Sequence, residues 1–80
     1  MIRLKFPIHA QARIEERGIE IDHIKKAIRE PDFTKHQFEG RILVGKKIDK
    51  KRTIEVVYCK ESSLKKTNDY LVLVVTAYYL

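Results

Sequence analysis

The sequence predicts an α+β domain: an N-terminal helical hairpin packed on a twisted antiparallel sheet of about four strands. Three observations support this. Two short stretches, residues 7–17 and 21–30, carry apolar side chains at helical spacing and are punctuated by Pro7, Gly18 and Pro31. Residues 41–48 and 53–60 alternate apolar with polar, the period of a half-buried strand. Residues 70–79 form an apolar run rich in β-branched and aromatic side chains.

In chain order, Ile2, Leu4 and Phe6 alternate with Arg3 and Lys5, which predicts a short strand. Pro7 ends it and suits the first turn of a helix, where its missing N–H is not needed. The first helix spans residues 7–17, with Ala10 and Ile14 toward a core, and Gly18 supplies the left-handed stop. In the second helix, residues 21–30, Ile21, Ile24 and Ile28 share a face with Ala27 beside them. Glu20 and Asp22 suit the positive end of its dipole, and Arg29 suits the other end. Pro31 stops it.

Residues 33–38 predict a strand, Glu39-Gly40 a tight turn, and Gly45 a bulge within the strand 41–48. Residues 49–52 form a charged turn. The next strand, 53–60, places Ile54, Val56 and Tyr58 on one face, and 61–69 reads as a loop. The last strand is apolar on both faces, as expected of a strand covered on both sides. In a simple meander it would lie at an edge, so either the N-terminal strand pairs with it or a second subunit covers it through that edge.

Eighty residues, 44% hydrophobic and 35% charged, make one ordered domain with a small core. The segment M-I-R-L-K-F lacks the apolar core of a signal peptide, and the apolar run at residues 70–80 is too short to span a bilayer as a helix. A single cysteine, Cys59, allows no internal disulfide. Together these predict a cytoplasmic protein with no membrane partner. The net charge of +6 is uneven: residues 1–40 hold 8 Lys/Arg against 7 Asp/Glu, and residues 41–80 hold 9 against 4. That asymmetry favours a polyanionic partner, nucleic acid or an acidic protein; the bland alternative is a solvated lysine-rich surface, as on a heat-adapted protein.

The residues with most chemistry are His9, Arg13 and Arg17. Spaced at i, i+4 and i+8 on the first helix, they form one polar stripe, aligning a side chain that titrates near neutrality with two permanent cations. The bland alternative pairs Arg13 and Arg17 with Glu16, Glu20 or Asp32. Thr76 and Tyr78, two apart, share a face of the last strand. A second feature is the basic set Lys46, Lys47, Lys50, Lys51 and Arg52, with Lys60, Lys65 and Lys66 on the following loop; it suits a phosphate backbone or simple edge protection. His23 and His36 read as exposed, Cys59 as a buried small hydrophobe, and Tyr58, Tyr70, Tyr78 and Tyr79 as core or sheet-surface residues. The His and Cys spacing gives no metal site, and no cofactor motif appears.

The string His9-Ala10-x-x-Arg13-x-x-x-Arg17-Gly18-Ile19, followed by Ile24, Ala27-Ile28, Pro31-Asp32 and Val74-Val75-Thr76-Ala77-Tyr78, resembles a small uncharacterised prokaryotic domain family. That family is similar to the RelE/BrnT-like toxins and the wider barnase–EndoU–colicin–RelE ribonuclease group. Pro7 departs from it, since the family usually has a Ser or Thr cap there. The resemblance implies a RelE-like fold and metal-independent cleavage of RNA through a 2′,3′-cyclic phosphate. His9, Arg13, Arg17, Thr76 and Tyr78 are the matching positions, and an acidic antitoxin is an expected partner. His9 would act as base or acid, the arginines would hold phosphate oxygens, and the two hydroxyls would face the same phosphate. The alternative reading is a non-catalytic module that binds nucleic acid or an antitoxin.

Overall fold

A computed structural model describes residues 2–64 and 69–80, with side chains described for 3–60 and 71–80. The elements are β1 (Ile2–Lys5), α1 (Ile8–Glu16), α2 (Ile21–Arg29), β2 (Phe33–His36), a 3-10 turn at Phe38–Gly40, β3 (Ile42–Lys47), β4 (Thr53–Leu64) and β5 (Asp69–Tyr79). The expected loop at 61–69 is shortened from both sides by β4 and β5. Lys65 and Lys66 lie outside the described residues.

The α+β layout is observed, but the sheet has five strands rather than four and is mixed rather than antiparallel. Its order is β1-β5-β4-β3-β2. β1 runs parallel to β5, from Ile2 opposite Tyr70 to Lys5 opposite Leu73, and the other three pairings are antiparallel. The hairpin of α1 and α2 carries the chain from β1 at one edge of the sheet to β2 at the other, and β3 and β4 then lead back to β5, so the parallel pair is joined by everything between them.

Both helices pack on one face. Ile14, Ile19, Ile24, Ala27 and Ile28 meet Val44, Ile54, Val56, Tyr58, Val72, Val74 and Ala77 in one core. Each large aliphatic side chain buried there contributes about 1.5–3 kcal/mol. Ile21 departs from the expected inward stripe and stays 41% exposed. The expectation that β5 is covered on both faces also fails. Val72, Val74 and Ala77 are buried, whereas Leu71, Leu73, Thr76 and Tyr78 on the other face are only half-buried.

The helix ends follow local rules. α1 has no side-chain cap at Pro7 and closes in a Schellman turn: the Gly18 N–H donates to the Glu15 carbonyl at 3.2 Å and the Ile19 N–H to the Ile14 carbonyl at 3.0 Å. Gly18 has φ +62°, and Ile14 and Ile19 supply the apolar contact that accompanies the motif. The Glu39-Gly40 turn holds both residues left-handed, at φ 62° and 72°. Gly45 marks no bulge, because β2–β3–β4 pairing runs through it in register. Its role is steric: a Cβ there would run into the Phe33 ring. The irregularities lie in the β4–β5 pairing instead. Tyr58 pairs with Val74 and Val57 with Thr76, which leaves Val75 as an extra residue.

The two left-handed positions make opposite predictions. Gly18→Ala meets nothing within 4 Å, so only its backbone conformation opposes it, and stability should fall by about 1–2 kcal/mol. Glu39→Gly relieves the same strain and should raise stability by up to about 1 kcal/mol, less the entropy glycine adds to the unfolded chain. Urea unfolding of the two variants, compared by midpoint at unchanged slope, checks both signs.

Candidate active site

β1 stops opposite Leu73, so beyond that point β5 has β4 on one side and, among the described residues, no strand on the other. α1 packs against this stretch. An open cleft of about 220 Å³ between them is lined by His9, Ala10, Arg13, Val75 and Thr76. The expected helical stripe therefore faces the expected strand hydroxyl. His9 and Arg13 are exposed, and neither has a hydrogen-bond or carboxylate partner among the described residues.

Arg17, the C-cap of α1, reaches back to the same strand. One nitrogen, Nη1, donates to the Ala77 carbonyl at 2.9 Å and lies 3.4 Å from the Thr76 hydroxyl. Two of the carboxylates expected as alternative partners of the arginines are used elsewhere. Asp32 accepts the Lys47 N–H at 2.7 Å and pairs with Lys46 at 3.4 Å, and Glu20 pairs with His23 at 2.9 Å.

Tyr78 lies opposite Glu55 in the β4–β5 register. A hydrogen bond to the Glu55 carboxylate pushes its hydroxyl above the usual tyrosine range; burial and the carboxylate's charge add to this, and the Arg17 cation opposes it. At neutral pH Tyr78 is thus a protonated donor beside Arg17. All five expected site residues fall on one flank of the molecule. His9, Arg13 and Thr76 share the cleft, and Arg17 and Tyr78 continue it along β5.

The extra residue at Val75 decides this geometry. Strict alternation from Val72 and Val74 would send residues 76 and 78 into the core; the bulge sends Ala77 and Tyr79 there instead. Thr76 and Tyr78 are left on the face without helices.

The basic set does not form one surface. Lys46 and Lys47 fall on opposite faces of β3, and Lys46 is half-buried against Asp32. Lys50 and Lys51 are exposed in the turn after β3, while Arg52 bonds Asp49 at 3.1 Å. Lys60 belongs to β4 rather than to a loop. It sits eight residues from Arg52, about 26 Å along a strand.

A cluster that the sequence reading missed joins α2 to β5. His23, expected to be exposed, has a side chain only 16% accessible. Its Nδ1 shares a hydrogen bond with the Tyr79 hydroxyl at 2.8 Å, Nε2 bonds the Glu20 carboxylate at 2.9 Å, and the Tyr79 oxygen accepts the Glu20 N–H at 3.3 Å. The rings meet edge to face, and the Arg52 guanidinium lies 5.2 Å from the Tyr79 ring centre. Glu20 and His23 at i, i+3 were visible as a pair, but nothing in the sequence announced a partner 56 residues away. This cluster pins the turn after Arg17 to the end of β5. His36 stays exposed on β2, at the sheet edge farthest from β1 and β5. Cys59 is half-buried on the face without helices, not in the core. Tyr58 is buried, which pushes its hydroxyl up. The Tyr70 side chain lies outside those described. Among the described residues no group of three His, Cys, Asp or Glu could hold a metal, and no helix is long and apolar enough to cross a membrane.

Two tests follow. Tyr79→Phe should cost about 1–2 kcal/mol and His23→Ala a similar amount, with the double variant losing less than the sum, since one network is lost only once; a double-mutant cycle by urea unfolding measures the coupling. Asp32 and Asp49 are both held below the ordinary aspartate range, chiefly by the Lys47 and Lys51 N–H groups respectively. Their stabilisation is present above the unfolded-state value of about 3.9 and is lost as pH falls through the lower folded value. Stability should therefore decline below about pH 4, and Asp32→Asn should flatten that decline in acid titrations followed by circular dichroism.

No curated protein matches the chain. A family model described as a domain of unknown function, DUF4258, matches residues 7–79, a span that holds the α1 stripe, the hairpin, the sheet from β2 onward and the two hydroxyls of β5. The chain belongs to the DUF4258 family.

Proposed function

We propose that this chain is a metal-independent endoribonuclease of the toxin-like, RelE-related kind, acting at the α1–β5 cleft. The observation that carries the reading is that His9, Arg13 and Thr76 line one open cleft, with Arg17 and Tyr78 beside it. Cleavage of RNA by its own 2′-OH needs a proton acceptor, a proton donor and positive charge at the phosphate. His9 supplies an accessible imidazole. Arg13, unengaged among the described residues, is a guanidinium suited to bidentate contact with phosphate oxygens. Tyr78 supplies a hydroxyl that stays protonated, and Thr76 a second donor within reach of Arg17.

Arg17 plays a different part from the one its spacing suggested. Its Nη1 is engaged by the Ala77 carbonyl, so it fixes the wall of the cleft and lends charge to it. The same observation favours a second reading, a non-catalytic module for RNA or an acidic antitoxin, because one of the two aligned cations is partly committed to structure.

The readings separate on His9→Ala. Labelled RNA incubated in EDTA should yield 2′,3′-cyclic phosphate ends with the natural chain. The variant should lose about 10²–10⁴-fold in rate with little change in RNA affinity. RNA bound but left intact by the natural chain between pH 6 and 8 would sink the enzyme and leave the binding module.

A further inference from the structure

The face of the sheet without helices carries one aromatic side chain whose setting differs from the rest. Phe33 opens β2, an edge strand, and pairs with Gly45. Its ring fills the space that a side chain at Gly45 would take, the clash there being with ring carbons. Gly45 follows core-facing Val44, so the ring stands on the opposite face, and it remains 43% exposed. Glycine beneath it fixes the ring's inner side and leaves the outer side to solvent.

Two lysines bracket this ring. Lys35 lies two residues along β2, opposite Leu43, and Lys47 lies two residues beyond Gly45 in the other direction. Both alternate onto the same face, about 7 Å from the aromatic along the strands, and both are exposed. The register also runs straight from this ring to the cleft: Phe33, Gly45, Glu55 and Tyr78 occupy one row across β2, β3, β4 and β5. Three strand spacings make that row about 14 Å long.

We propose that Phe33 is a stacking platform for a base of single-stranded RNA, with Lys35 and Lys47 on the phosphates either side of it. Aromatic faces stack any base, and flanking cations track the backbone, which is how single strands are held without sequence preference. A duplex keeps its base faces within its own stack and cannot use such a platform. The row from the platform to Tyr78, beside the cleft, is as long as about four stacked nucleotides at ~3.4 Å each. Glu55, between them, offers an acceptor to base amino groups and none to phosphate. The inference takes RNA as the ligand from the ribonuclease reading; the platform itself rests on Phe33, Gly45 and the two lysines.

The chain has no tryptophan, so Phe33→Trp places a single indole reporter at the platform. The probe is a short 2′-O-methyl oligouridylate, which binds as RNA does but lacks the free hydroxyl needed for cleavage. Binding should quench the indole emission of the Phe33→Trp variant. In the natural background Phe33→Ala should weaken affinity about tenfold, and Lys35→Ala or Lys47→Ala should weaken it while reducing its salt dependence. Oligomer binding that leaves the indole emission unquenched and the Phe33→Ala affinity unchanged would overturn the platform and leave the ribonuclease reading standing. Cleavage failing while the quench persists would do the reverse. A duplex competing equally, or poly-glutamate quenching in place of the oligomer, would also overturn it, the latter by assigning the face to an acidic protein.

Discussion

Covering the outer edge of β5 past Leu73 is the constraint on which the rest of this structure depends. β1 protects only the first part of the strand, and exposed backbone at a sheet edge invites pairing with other chains. The protein meets this with α1 and with one arginine, whose guanidinium donates to the Ala77 carbonyl. The helix turns Ala10 and Ile14 inward, and the other side of that buried stripe stays open. His9 and Arg13 occupy that side, so the cleft is a by-product of edge protection.

The bulge at Val75 works with the same edge. One extra residue reverses which side chains face inward for the remainder of the strand. Tyr79 turns toward the helices and meets His23, and Tyr78 turns away and meets Glu55. The two adjacent tyrosines thus serve different ends. Tyr79 closes a network that anchors the turn between the helices, and Tyr78 keeps its proton on the open face beside Arg17. Anchoring that turn matters because Arg17 immediately precedes it.

Charge is distributed by the strands, not by the sequence halves. The second half of the chain holds most of the positive excess, but alternation sends Lys46 and Lys47 to opposite faces, and the length of β4 separates Arg52 from Lys60. Two of the cations closest in sequence are also engaged by Asp32 and Asp49. Around Phe33 on the helix-free face the pattern is sparser, Lys35 and Lys47, with spacing set by the β repeat.

By itself the sequence determined what local rules control. Helical periodicity and the Pro7, Gly18 and Pro31 signals placed both helices to within a residue or two, since capping and the cost of left-handed φ act over single turns. The i, i+4 spacing put His9 and Arg13 on one side of α1 whatever the helix packs against. Only the tertiary structure decided that β1 joins the same sheet, parallel to β5, and decided the flip at Val75 and the contact of His23 with Tyr79. Each of these depends on which distant segment the backbone meets. A strand's pattern states that it has an inner and an outer face, but its register with a neighbour tells which residue lands on which.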